Sequence, residues 1–388
     1  MISHFKFMIS GVRLNLALFC ILKLSLLTGC SDDGGEDEEE CSLPSSIDFP
    51  SEKPKQIIQR PFQERAEAAF VQIEKLNLTG LAAIKFSNDL IIREFGTAAS
   101  DNIPGLSTQF DINSVTKTIT GLAVLKLFHL GLALPTTNLS QIFPNVPDDK
   151  ASITIEQLAN HTSGFPASIG SDFEKISRID FVKRAFETGL LAVPGSKYRY
   201  SNTGYSILAA AIEILSKKTY EEFLTETILS PLGISSTGYM KAYNEINSLK
   251  ADDGRTIFEV SWGGQDPGWN LVGNGGLVST IEDLVAIREA VSSRKLVLGD
   301  WQNYWSQRLV REHPLGYSYY SYGHTIHDIP DVGAIYWHDG GNSVNSAKWS
   351  EIPDQGTMLI TAGNIRSGCS ASTMMSLLQL HLFGIAAE

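Results

Sequence analysis

Within residues 110–130, Ser114 and Lys117 stand three residues apart at the head of a long apolar run. On a helix, positions i and i+3 share a face, so the lysine amine can sit beside the serine hydroxyl. That pairing suits nucleophilic chemistry, because a serine hydroxyl attacks well only once a base takes its proton. A hydroxyl at a helix N-terminus also lies near unpaired backbone N–H groups and the positive end of the dipole, which favour developing negative charge. Ile119, Leu122, Ala123, Val124, Leu125, Leu127, Phe128 and Leu130 leave little polar surface. The helix is therefore expected to be buried nearly all round and to hold the pair on a rigid core element, with Gly131 ending it. Ser292 and Lys295 repeat the spacing, but they follow a helix instead of starting one, and Leu-Val-Leu-Gly comes next. That second match is read as chance.

Two further clusters follow in order. Tyr200-Ser201-Asn202 comes after Pro194-Gly195 and just before a helical stretch, and His338-Asp339-Gly340-Gly341 closes an apolar strand. Together with Ser114-Val115-Thr116-Lys117 they resemble the motifs of the serine β-lactamase and penicillin-binding-protein superfamily. Those motifs are Ser-x-x-Lys, Tyr-x-Asn and a Lys-Thr-Gly or His-x-Gly triplet on a strand lining the site. The chain is most similar to the class C β-lactamases and the related D-amino-acid peptidases and esterases. Residues 158–164, 194–204 and 275–280 also look like segments of that family, so the resemblance covers nearly all of the folded body.

The resemblance implies an acyl-enzyme on Ser114. Lys117 and Tyr200 are the bases on offer, since a buried lysine near other cations, or a phenol near a lysine, loses pKa. The proton acceptor is assigned to the pair. Asn202 would orient Lys117 and a substrate amide, and the oxyanion hole would be the backbone N–H of Ser114 and that of Gly341. Gly340 and Gly341 would let a substrate backbone approach the strand closely. The implied substrates are small-molecule or peptide acyl compounds: D-amino-acid peptides, cell-wall stem peptides, small esters or β-lactams. No metal or organic cofactor is expected, and no His-x-x-x-His or Cys/His cluster suggests a metallohydrolase. A penicillin-binding sensor lipoprotein that acylates without turnover would keep the same motifs. Where a penicillin-hydrolysing site offers Lys-Thr to the substrate carboxylate, this chain offers His338-Asp339. Asp339, if it faces the site, disfavours an anionic group; strand alternation could instead turn it away. The departure favours esterase or D-peptidase over a dedicated β-lactamase.

The elements that must position these residues can be read coarsely. Residues 64–76 have helical spacing, and 81–86 and 90–95 are apolar runs split by Ser87-Asn88-Asp89, which predicts a hairpin. Thr154…Gln157 and Thr219…Glu222 are capping boxes before helices, the second helix running to 229; another helix is expected over 203–215. Ser279…Glu282 is read as the cap of a helix reaching about Val291. Residues 334–338, 345–349 and 357–362 look like strands and 372–383 like a closing helix. Residues 253–274 read as a loop near the site. Strands at both ends with helices between predict an α/β fold of the α+β type: an antiparallel sheet built from both chain ends, flanked by helices, with an inserted all-helical region.

The chain has 388 residues, 43% of them hydrophobic, ample for a large core. A net charge of −12 argues against a nucleic-acid partner. Residues 1–29 read as a targeting segment: His4, Lys6 and Arg13 form a basic n-region and 14–27 an apolar stretch broken by Lys23. Leu27-Thr28-Gly29-Cys30 resembles the bacterial lipobox, which implies a lipidated Cys30 and an extracytoplasmic, membrane-anchored lipoprotein. Asp32 to Glu40 carries seven acidic residues in nine, so 30–45 reads as a solvated tether, with a surface-export address as the other reading. The hydrolase-like domain then spans 46–388. Cys41 and Cys369 are left either to form a disulfide joining the ends of that domain or to stay as buried thiols.

Overall fold

In the computed structural model the described residues are 43–96, 105–296, 298–365 and 369–385. Cys30, Cys41, the targeting segment and the whole acidic stretch from Asp32 to Glu40 lie outside them. Among the described residues no helix is long and apolar enough to cross a membrane.

The chain first forms the helix Phe62–Glu74, then the hairpin β1 (Gly80–Phe86) and β2 (Asp89–Phe95), turning at Ser87 with φ +53°. β3 (Phe110–Asp111) and β4 (Val278–Ser279) pair with each other as a two-stranded patch. The C-terminal third supplies β5 (Val310–Arg311), β6 (Ser318–Tyr320), β7 (Thr325–Ile329), β8 (Gly333–Gly341), β9 (Asn345–Ile352) and β10 (Thr357–Asn364). These join the hairpin in one eight-stranded sheet of order β2-β1-β10-β9-β8-β7-β6-β5. The two ends of the chain meet where β1 pairs antiparallel with β10, from Gly80 opposite Gly363 to Phe86 opposite Thr357.

Both faces of the central strands are covered, and the two-residue period sorts their side chains. Ala82, Ile84 and Leu359 face a layer made of Phe62–Glu74 and the closing helix Ala371–Phe383, among Phe70, Ile73, Leu378 and Leu382. Leu81, Ala83, Ile360 and Ala362 point the other way, into the core of the inserted helical region. At the centre of that region lies the helix Thr116–His129, whose residues from Thr116 to Leu125 are all buried. Backbone meets backbone here. A Cβ on Gly121 would fall on the Tyr322 carbonyl, and one on Gly323 on the Lys117 carbonyl. Thr118 Oγ1 donates to Gly323 O at 2.7 Å and accepts from Trp349 Nε1 at 3.2 Å. The turn between β6 and β7 and the middle of β9 thus clamp the helix one residue past Lys117.

Three local expectations change. The cap of the helix Ile281–Ser292 is Thr280, which accepts from Asp283 N–H, because Ser279 is committed to β4. The helix begun at Thr219 is regular only over Tyr220–Leu224 and widens over Thr225–Leu229 before Pro231. Residues 253–274 contain the helical turn Ile257–Val260 before they reach the site.

Candidate active site

Ser114 is not in the α-helix itself but in the tighter turn Asn113–Val115 that leads into it. Asn113 sits at φ +45°, a conformation few side chains other than asparagine adopt readily. Its N–H donates to Asp111 Oδ1 at 2.6 Å, and its amide oxygen accepts from Asn342 Nδ2 at 3.2 Å. Burial pushes the Asp111 carboxyl up to about 6, opposed by hydrogen bonds from Ser261 and the Asn113 backbone. From the opposite side β8 presses against the turn, and a Cβ on Gly340 would fall on Ser114 N. Only glycine permits that approach. Gly341, exposed at the end of β8, lies opposite Ser346.

Lys117 is wholly buried. Its Nζ donates to Ser114 Oγ at 3.0 Å and to the Asn274 carbonyl at 2.7 Å. It also lies 4.8 Å from the centroid of the Tyr200 ring and 5.8 Å from that of Tyr205. Asn274 is fixed in turn, its Nδ2 donating to Ser206 Oγ and Asn270 O at 2.8 and 2.7 Å. The lysine is thus aimed at the serine by a carbonyl from the far end of the 253–274 loop. Asn202 does not do this: its Oδ1 is buried with no hydrogen-bond partner among the described residues. Nor is Asn202 the cap of its helix. Ser201 caps Asn202–Ser216 by accepting from Gly204 N–H at 2.9 Å.

His338 is buried in β8, its ring centroid 6.4 Å from that of Tyr200. Its Nδ1 lies 2.5 Å from the Asp339 carbonyl and its Nε2 3.1 Å from Tyr320 Oη. A carbonyl can only accept, so Nδ1 carries the proton and Nε2 accepts from the phenol. Burial, with the Lys117 charge close by, pushes this imidazole down to about 4. His338 is therefore a neutral group at neutral pH and not the cation its type suggests. Asp339 points to the other face of the sheet, where its carboxylate lies 3.9 Å from Lys348 Nζ and accepts from Ser372 Oγ at 3.4 Å. Strand alternation has turned it away from the serine.

The repeated spacing at Ser292 and Lys295 is remote in role as well. Ser292 ends its helix and donates to Glu351 Oε1 at 2.7 Å, beside the buried Arg288–Glu351 pair. Cys369 is disulfide-bonded, at the turn before the closing helix. Among the described residues no group of three or more His, Cys, Asp or Glu is placed to hold a metal ion.

A nucleophile-type serine, a buried lysine, a tyrosine and a glycine-rich strand edge on this sheet define a penicillin-binding-protein-like fold. The chain belongs to the Beta-lactamase family, whose model matches residues 98–367. The Protein flp of Staphylococcus aureus (strain N315) is 33% identical over 147 residues, 36% of this chain and 30% of its own length. The D-alanyl-D-alanine-carboxypeptidase/endopeptidase AmpH of Escherichia coli (strain K12) is 30% identical over 223 residues, 53% of this chain and 56% of its own length. The matches thus take in about a third to a half of these relatives. In fold the chain is similar to the octameric penicillin-binding protein homologue from Pyrococcus abyssi, with a TM-score of 0.68 and 22% identity, covering 84% of this chain and 78% of that one.

Proposed function

We propose that the chain is a serine hydrolase that forms an acyl-enzyme on Ser114. One observation carries the reading: the 3.0 Å hydrogen bond from a fully buried Lys117 to Ser114 Oγ, at the mouth of a glycine-lined strand. Ser114 Oγ attacks the substrate carbonyl carbon, and its proton passes to the Lys117–Tyr200 pair. The tetrahedral oxyanion is held by the backbone N–H of Ser114 and of Gly341. Such preorganised donors are worth roughly 3 kcal/mol each in comparable sites. Collapse breaks the bond to the leaving group, which takes the proton back, and a water then repeats the sequence on the acyl-enzyme. Asn202, whose Oδ1 has no hydrogen-bond partner among the described residues, is suited to accept from an N–H of the substrate.

The substrate reading follows from charge. His338 is neutral and doubly hydrogen-bonded, and Asp339 and Lys348 meet each other on the far face. β8 therefore brings no fixed cation to the serine for a substrate carboxylate. This favours small esters and D-amino-acid amides or peptides over β-lactams. Relatedness to AmpH keeps D-alanyl peptides in view. A panel of p-nitrophenyl esters, D-amino-acid amides, D-alanyl-D-alanine peptides and a chromogenic cephalosporin tests the choice. Turnover of the esters or D-amides that is lost in Ser114→Ala supports the reading. Preferred turnover of the cephalosporin overturns the substrate class, and labelling without turnover makes the protein a sensor. The lipid anchor belongs to the same proposal. The mature N-terminus should be acylated Cys30 and partition with membranes, and mass spectrometry showing an unmodified start elsewhere would refute it.

A further inference from the structure

His161 lies outside the three motifs, yet its imidazole is wholly buried, at the centre of four tyrosines that include Tyr200. Ring centroids stand 4.5 Å from Tyr200, 4.5 Å from Tyr320, 5.0 Å from Tyr205 and 5.6 Å from Tyr198. Its backbone is bent to φ +61°. Two hydrogen bonds then bracket the motif tyrosine. Arg199 N–H donates to the His161 carbonyl at 2.8 Å, and Ser201 N–H donates to His161 Nδ1 at 3.1 Å. The residues on either side of Tyr200 are thus both held by this one residue.

An Nδ1 that accepts carries no proton, so the ring's hydrogen is on Nε2. That nitrogen is buried without a hydrogen-bond partner among the described residues. An orphaned buried N–H is costly, roughly 1–3 kcal/mol, so the arrangement is not explained by stability alone. Burial comes first, then the nearby Lys117 and His338, in holding this imidazole well below its usual range. The lone pair on Nδ1 is thereby kept free for Ser201.

We propose that His161 is the positioning residue for Tyr200: through its carbonyl and Nδ1 it fixes the Arg199–Ser201 backbone and so holds the tyrosine ring against Lys117. This rests on the acyl-enzyme reading above, since it concerns one of the two groups assigned as base. Loss of the Nδ1 acceptor should slow chemistry and leave substrate binding nearly intact.

The test pairs His161→Ala with His161→Asn. Asparagine tolerates a positive φ and offers an oxygen close to where Nδ1 stands. His161→Ala should lower kcat by about 10²-fold, the scale of a small misplacement, with KM changed little. It should slow fluorophosphonate labelling of Ser114 in step, and His161→Asn should recover most of both. An alanine variant within a few-fold of the parent, or an asparagine variant that folds yet falls equally far, overturns the proposal. If His161→Ala does not fold, the imidazole ¹⁵N spectrum of the unsubstituted protein decides. His161 should show an unprotonated Nδ1 and a protonated Nε2 at neutral pH, and the reverse tautomer refutes the assignment. Failure here with Ser114→Ala inactive sinks only the role of His161. Full activity of Ser114→Ala sinks the acyl-enzyme itself.

Discussion

A hydroxyl 3.0 Å from a buried amine is only as useful as the backbone that holds the two in line. Gly340 is the sharpest test of that backbone. A methyl group there meets Ser114 N, so Gly340→Ala should cut the acylation rate by about 10²-fold or more while circular dichroism stays unchanged. Unaltered acylation would mean that β8 does not brace the nucleophile. Ser292→Ala is the counterpart. It should leave activity intact and cost roughly 1 kcal/mol by denaturant unfolding, because it removes a hydrogen bond to Glu351. At the strand, His338→Lys replaces a neutral imidazole by a cation. It should raise kcat/KM for carboxylate-bearing substrates relative to neutral esters, and an unchanged ratio would separate charge at this position from specificity. The serine, lysine and motif tyrosine were legible from spacing and order. Asn274, His161 and Tyr320 were not, because their roles arise from contacts across 157, 40 and 18 residues of sequence that leave no local period.

Elements were readable in proportion to their length. The helix of residues 116–129, the hairpin and the three long C-terminal strands each carry enough apolar residues to show their period. β5, β6 and β7 span two, three and five residues at the sheet edge, too short and too mixed in polarity to stand out. β3 and β4 are two residues each, and pairing them removed Ser279 from its expected capping role. That correction has a measurable consequence. Thr280→Ala should destabilise the protein by about 1 kcal/mol in urea titration, the usual worth of an N-cap hydroxyl. No shift in the midpoint would show that the helix Ile281–Ser292 does not depend on this cap.

At the scale of the whole molecule, the pattern of strands at both ends with helices between anticipated one sheet closed by β1 on β10. What sequence could not show is how many histidines that closure buries. Burial holds His161 and His324 well below the usual imidazole range, and His338 at about 4. Unfolded, each titrates near 6.5. As pH falls from that value toward 4, the unfolded chain takes up protons that the fold refuses, so stability declines. Asp111, raised to about 6, works the other way, its contribution being present at low pH and lost as pH rises through that value. Burial also lowers His381 and raises the Asp283 and Glu312 carboxyls, and four imidazoles against three carboxyls predict a lower Tm at pH 5 than at pH 7. His324→Phe should narrow the gap, because it removes one of the imidazoles that burial holds well below the usual range. A Tm that rises on acidification would contradict this balance.

The acyl-enzyme is tested most directly by reacting the purified protein with a fluorophosphonate and mapping the adduct by mass spectrometry. The site predicts one adduct per chain, on Ser114, absent from Ser114→Ala and present in Ser292→Ala. An adduct on another residue, or continued ester hydrolysis by Ser114→Ala at the original rate, would contradict it.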